Sequence, residues 1–323
     1  MLVISILCLV NLLWCSTVEA NHSPSLSFWN DGNTKQVIID FVQDVTEPES
    51  DNFVKPSDRI AIFDNDGTLW TEKPCSVEAA FFAHRLQQKS ASISESVNSV
   101  NCLSDYLQTN PLSKQEIYLK YLGINSGLTT DEYQAMTLNF VKTKLHPDFG
   151  VPYIQLTYQP MVQLLEYLRE NDFQIYICSG AELEYMRSFV EEIYQVPPPN
   201  VIGTSFLTKF ATGKNQEPVL IRLDTKVFPD NNYEGKVVGI ERYIGKKPIM
   251  TVGNSDGDLA MLQYTDDGQG KHLMMLVNHD DAEREFDYKE GAENAYRQAQ
   301  ENGWTLISVK HDFKEVFAVE TKH

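Results

Sequence analysis

Four short stretches carry residues whose types and spacing could do chemistry. The first is Asp64-Asn65-Asp66-Gly67-Thr68, two carboxylates one residue apart followed by a glycine and a hydroxyl. The second is Ser179-Gly180, and the third is Lys236, placed where a helix would begin. The fourth is Gly253-Asn254-Ser255-Asp256-Gly257-Asp258, a loop dense in oxygen atoms. A carboxylate can attack, donate or remove a proton, or bind a hard cation. A serine hydroxyl and a lysine ammonium can hold an anion. Each stretch also has a plainer reading. Asp, Asn and Gly favour Asx-type turns for local hydrogen-bonding reasons, and a Ser-Gly pair alone is an ordinary turn.

The flanking residues decide between these readings. Residues 60–63, Ile-Ala-Ile-Phe, form a continuous apolar run of the kind expected in a strand covered on both faces. Asp64 and Asp66 therefore stand at the carboxyl end of a strand, where open α/β sheets bind ligands. Residues 173–178 and 249–252 are similar runs, ending at Ser179 and Asn254. Further strands are expected over 201–207, 272–277 and 303–309, and a hairpin over 208–227. Helical spacing appears at 34–45, 160–169, 182–194 and 235–244. From 72 to 158 strand signals vanish, and helical patterns at 77–86, 115–122 and 131–145 alternate with loops rich in Ser, Asn and Gly. A lysine in the first turn of a helix opposes the helix dipole, which hints at another duty for Lys236.

The strand followed by Asp-x-Asp-Gly-Thr resembles the nucleophile motif of the haloacid dehalogenase superfamily. The resemblance implies an α/β fold: a doubly wound parallel sheet from 21–71 and 159–323, with an inserted helical cap over 72–158. It implies that Asp64 attacks phosphorus to form an aspartyl-phosphate and that Asp66 is the acid and base. Ser179, with Thr68 and Gly180, would bind the phosphoryl oxygens, and Lys236 would neutralise charge, with Lys246 and Lys247 as fallbacks. A Mg²⁺ cofactor would draw on Asp64, Asp66, Asn254, Asp256 and Asp258. The family pattern has Asp where this chain has Asn254, which leaves Asn254 and Asp256 as alternative ligands. The longer forms are similar to an exported branch of the superfamily near the phosphoserine phosphatase-like hydrolases. The implied activity is hydrolysis of small phosphomonoesters; dehalogenation would not need Asp66. A secreted cation-binding module without turnover is the other reading, favoured by Asn254.

The chain as a whole bounds the partners. A formal charge of -18 and a pI near 4.8 argue against nucleic acid, which is held by basic surfaces. The same charge makes a cation more necessary for a phosphate substrate. Residues 2–14 are almost wholly apolar, and Val18-Glu19-Ala20 suits signal cleavage, so 1–20 reads as a secretory signal and the protein as extracytoplasmic. The run is shorter than the roughly 20 residues of a membrane span, so no stable insertion is expected after cleavage. A lipid on Cys15 is an alternative, and Asn21-His22-Ser23 fits a glycosylation acceptor. Of the remaining cysteines, Cys75 and Cys102 either pair or stay as thiols beside Cys178. His279 reads as an exposed loop histidine, with a place facing the site as the alternative. Nothing in the cap declares a substrate, and protein partners are not legible.

Overall fold

The computed structural model describes residues 26–89, 102–109, 112–227, 229–267 and 269–319. The signal segment 1–20, Cys15 and the acceptor at Asn21 lie outside the described residues. In chain order the strands are β1 (Ile60–Phe63), β2 (Gln174–Glu182), β3 (Val201–Thr204), β4 (Phe206–Thr212), β5 (Pro218–Lys226), β6 (Met250–Gly253), β7 (Leu273–Asp280), β8 (Asp287–Tyr288) and β9 (Thr305–Ser308). The helices are α1 (Asn33–Thr46), α2 (Val77–Lys89), α3 (Leu103–Thr109), α4 (Lys114–Asn125), α5 (Thr130–Thr143), α6 (Gln159–Glu170), α7 (Leu183–Arg187), α8 (Val190–Tyr194), α9 (Glu234–Tyr243), α10 (Leu259–Asp266), α11 (Glu293–Asn302) and α12 (Val309–Asp312). None of them is long and apolar enough to cross a membrane.

A seven-stranded sheet runs β3-β2-β1-β6-β7, with β9 parallel to β7 and the short β8 antiparallel to its end. β1, β3 and β6 are buried at every position. That is why their sequences are continuous apolar runs and not alternating ones. The chain steps from β1 to β2 to β3 on one side, then returns to place β6 on the other side of β1. The reversal puts a crevice at the carboxyl end of β1, the switch point where doubly wound sheets bind ligands. α1 lays Ile38, Phe41, Val42 and Val45 on the core, as its spacing requires.

Between β1 and β2 lies the helical insert, α2 to α5. Two of its helices begin on capping boxes, Ser113 with Glu116 and Thr129 with Glu132, in which side chain and backbone satisfy each other's amides. A disulfide joins Cys75, just before α2, to Cys102, just before α3. Cys178 is a buried free thiol, pushed up to about 11 by burial.

The structure differs from the sequence reading in three places. The hairpin β4–β5, expected within the core stretch 159–323, packs on the insert: Phe206 joins Leu86, Ile117 and Tyr121, and Arg222 exchanges backbone hydrogen bonds with the loop before α5. Most of β4 is exposed, and the hairpin forms its own two-stranded sheet apart from the central one. The stretch 182–194 is two short helices broken at Ser188 and Phe189, not one. His279 is not an exposed loop residue but is 1% exposed near the end of β7. It is covered by Tyr288, whose ring stacks on it with centroids 4.4 Å apart.

Candidate active site

Asp64 follows β1 directly, and its backbone N–H extends the ladder to the Val252 carbonyl at 3.0 Å. The chain then turns tightly, with the amides of Thr68 and Leu69 both donating to the Asn65 carbonyl. Gly67 takes φ +71°, and a side chain there would run into the Asn254 amide and the Glu72 carboxylate. Both its conformation and its surroundings therefore require glycine. Lys236, in the first turn of α9, donates to Asp64 Oδ1 at 2.7 Å and to Asp258 Oδ1 at 2.6 Å. Asp258 Oδ2 accepts from the backbone amides of Asn254 and Ser255, so one carboxylate ties the lysine to the loop after β6. Thr68 donates to Asn254 Oδ1 at 3.1 Å, and Asn254 Nδ2 donates to Glu72. Asp66 is steered by the Trp70 indole, which donates to its Oδ1 at 2.6 Å.

Burial sets the electrostatics. Asp64 is pushed up to about 8, first by burial and then by the charge of Asp258, against the pull of Lys236. Asp66 is pushed up to about 7, first by burial, with the Trp70 hydrogen bond opposing and the Glu72 charge adding. Burial works against the Lys236 ammonium, but Asp258 and Asp64 more than offset it and hold the lysine above its ordinary value. The ammonium is the group locked in its charged form. The centre holds one ammonium against the carboxyl groups of Asp64, Asp66 and Asp258, and burial is the main cause of the raised values of Asp64 and Asp66.

The other expected residues divide. Ser179, 2% exposed, and Gly180 lie within β2, beside the end of β1. Asn231 donates to the Ser179 carbonyl at 2.8 Å, and Thr204 to the Gly180 carbonyl at 2.7 Å, fixing this stretch from two sides. Asp256 is turned away: its oxygens accept from the Ala295 amide and the Asn294 side chain, capping α11. Lys246 and Lys247 pair instead with Asp58 and Asp267 near the surface. Residues that sequence reasoning missed hold the Asp64–Thr68 loop from behind. His279 Nε2 lies 2.8 Å from the Gly67 carbonyl and Nδ1 lies 3.0 Å from Glu285 Oε2, while Tyr158 donates to Glu285 Oε1. Tyr288 donates to Glu72 at 2.7 Å. Tyr233, at φ +50°, is a strained residue at the start of α9. Only His279 left a signal, a polar residue closing an apolar strand.

The family model for haloacid dehalogenase-like hydrolases matches residues 61–263, which is more than half of the chain and includes Asp64, Asp66, Ser179, Lys236, Asn254 and Asp258. The chain belongs to the haloacid dehalogenase-like hydrolases. No curated protein sequence matches it. Among solved structures, a conserved protein of unknown function from Anaerococcus prevotii DSM 20548 is 15% identical with a TM-score of 0.52, covering 89% of this chain and 96% of that one. A protein of unknown function from Bordetella pertussis Tohama I is 13% identical with a TM-score of 0.48, covering 77% and 98%. A haloacid dehalogenase family hydrolase from Salmonella enterica serovar Typhi is 15% identical with a TM-score of 0.39, covering 81% and 72%. The first of these shares the fold.

For a hydrolase of this family the donor set can be tested against a hard divalent cation. Among the described residues no three His, Cys, Asp or Glu side chains form a metal cage by themselves. Mg²⁺ does not need one, because it takes one or two carboxylates and completes its shell with water and substrate oxygens. Asp64 and Asp66 each have one oxygen committed, to Lys236 and Trp70, and an Oδ2 that accepts no hydrogen bond among the described residues. Asn254 adds a neutral carbonyl at the neighbouring strand end. The set fits a sparsely coordinated hard cation.

Proposed function

We propose that this hydrolase is a Mg²⁺-dependent phosphatase of small phosphomonoesters, working through an aspartyl-phosphate on Asp64. The observation that carries the reading is the Asp64 carboxylate at the β1 switch point, with one oxygen held by Lys236 and the other free. In this reading Asp64, ionised when Lys236 and a bound cation offset the neighbouring acids, attacks phosphorus in line through Oδ2, and Asp66 gives its proton to the departing ester oxygen. Asp66 then removes a proton from the water that cleaves the acyl phosphate. A carboxyl raised to about 7 can hold that proton near neutral pH and also give it up. The Ser179 hydroxyl and nearby amides would hold the phosphoryl oxygens, with Thr68 and Gly180 shaping the cradle. Lys236 would offset the charge that collects on Asp64 and the phosphoryl group. Asp64, Asp66 and Asn254 would hold Mg²⁺, and Asp258 would position Lys236. When bound, the metal supplies positive charge against the phosphoryl oxygens and holds the group in line.

The insert α2–α5 would act as a cap that closes water out of the centre. The apolar segment at 2–14 and the Cys75–Cys102 disulfide support an extracytoplasmic location. No feature of the structure favours the silent cation-binding module, because Asp64, Asp66 and Lys236 come together in one buried cluster. The test is hydrolysis of an aryl phosphate by the whole chain with and without Mg²⁺, beside Asp64→Asn. Turnover that needs the metal and falls at least about a thousandfold in the variant is expected. Metal binding without turnover on a panel of small phosphoesters would refute the reading.

A further inference from the structure

Away from the acidic centre, α2 and α5 of the insert enclose a cleft of about 180 Å³ lined by Phe81, His84, Arg85, Met136, Phe140 and Lys144. Its charge is unusual for this chain. Carboxylates outnumber lysine and arginine by 45 to 27 over the whole sequence, yet the cleft has three basic side chains and no acid. Arg85 is only 5% exposed. Its Nε donates to Asn125 at 3.1 Å and its Nη1 to Gln88 at 3.0 Å, both neutral amides. Its Nη2 donates to nothing among the described residues, and no carboxylate there lies within ion-pair distance of Arg85, His84 or Lys144. Two other buried cations each have two carboxylates, Asp64 and Asp258 for Lys236 and Glu182 and Glu184 for Arg222, and buried Arg59 donates to the Val54 and Asn171 carbonyls with Asp172 3.7 Å away.

A guanidinium taken from water without a counter-ion is costly, and an anion in the cleft would relieve that cost. The planar fork of an arginine matches a carboxylate, and each such hydrogen bond gains from both charges. Lys144, at the end of α5, spends part of its charge on that helix's negative end, so Arg85 is the principal anchor. Phe81, Met136 and Phe140 supply an apolar wall beside it. The His84 imidazole, held below its ordinary value first by burial and then by Lys144 and Arg85, registers the same positive field.

We propose that this cleft binds a small carboxylate with an apolar body, its carboxylate paired with Arg85 and backed by Lys144, its body against Phe81, Met136 and Phe140. The site is separate from the acidic centre and does not depend on the phosphatase reading.

The probe is 4-fluorobenzoate, titrated into the whole chain and followed by fluorine NMR, with 4-fluorobenzamide as its neutral counterpart. Saturable binding of the carboxylate and not of the amide is expected. Arg85→Gln should weaken it by roughly tenfold or more, since a charge-assisted pair is lost. Lys144→Gln, at a half-buried helix end where folding is not at stake, should weaken it severalfold. Asp64→Asn should leave it unchanged. Equal binding of the amide, binding that survives both basic-residue substitutions, binding lost in Asp64→Asn, or no saturation up to the solubility limit would each overturn the proposal.

Discussion

Arg222 is the sharpest place to test how the insert is held to the core. It lies in β5 and is 2% exposed. Its Nη2 donates to Glu182 Oε2 at 2.9 Å and its Nη1 to Glu184 Oε2 at 3.1 Å. The guanidinium sits over the Tyr133 ring at 3.8 Å and the Phe206 ring at 4.9 Å. Tyr133 donates its hydroxyl to the same Glu182 oxygen, and the Glu182 amide donates to Glu78 at 2.7 Å. One side chain thus joins the hairpin, α5 and the end of β2, three residues beyond Ser179.

Arg222→Met keeps an unbranched apolar stem but removes the guanidinium and strands two carboxylates. Removing one member of a buried ionic cluster costs about 3–5 kcal/mol. For a chain of this size, whose unfolding entropy is about 0.7 kcal/mol/K, that lowers the thermal midpoint by roughly 4–7 °C. The loss should depend on pH with a definite sign. Glu182 already lies above the usual carboxylate range, raised by burial, with Arg222 the strongest influence the other way. Without Arg222 it rises further, so the folded variant keeps a proton that the unfolded chain releases. Stability then falls as pH increases from the ordinary carboxylate value through the new one, by about 1.4 kcal/mol per pH unit for each such proton. Urea unfolding of both proteins near about pH 5 and about pH 8 measures the difference, which should be largest at the higher pH. A deficit under about 1 kcal/mol, the scale of a surface pair, would refute the reasoning. So would a deficit that is greater in acid.

Two further outcomes follow from the centre. Lys236→Met leaves Asp64 and Asp258 buried without a cation, and turnover of an aryl phosphate should fall by at least about a hundredfold; unchanged turnover would remove the lysine from the mechanism. His279 faces two acceptors, the Gly67 carbonyl and Glu285, and although burial lowers it, Glu285 leaves it above the ordinary histidine value. A raised histidine adds stability that is fully present below its ordinary value of about 6.5 and is lost as pH rises through the folded value. Wild-type stability should therefore decline from neutral to alkaline pH, and His279→Gln should flatten the decline in the same unfolding measurements. An equal slope in the two proteins would assign the pH dependence elsewhere.

The parts of the molecule legible in the sequence are those in which one local pattern carries the information. Residues 60–63 declared a strand because both faces are covered, and Asp64 declared a site because it ends that strand. Lys236 stood out because a lysine is electrostatically misplaced at a helix start unless acids meet it, and Asp64 and Asp258 do. The illegible parts depend on approach between distant segments. Asp256 and Asp258 sit in the same short loop and look alike in sequence. One caps α11 and the other holds Lys236, and only the position of α11 separates them. His279 looked like a loop residue because the strand's apolar run ends before it; its cover comes from Tyr288 and its partners from Glu285 and Gly67. The hairpin read correctly as a hairpin, but nothing local said that Phe206 and Arg222 would face the insert.

Three of the buried basic residues, Lys236, Arg222 and Arg85, compare one principle in three settings. A buried cation is tolerated when acids surround it, and the count of acids says what the surroundings are for. Lys236 has two, and one of them, Asp64, has an Oδ2 that accepts no hydrogen bond among the described residues, which in the proposed reading leaves room for a cation and an anionic substrate. Arg222 also has two, each within hydrogen-bonding distance and enclosed between aromatic rings, so it is closed to ligands and serves to join elements. Arg85 has none among the described residues, although the chain has acids to spare. If its role were only to pin the end of α4 through Asn125, a neutral side chain would do so without burying a charge. Keeping the charge beside an open, apolar-walled cleft makes sense when the missing carboxylate arrives with a ligand.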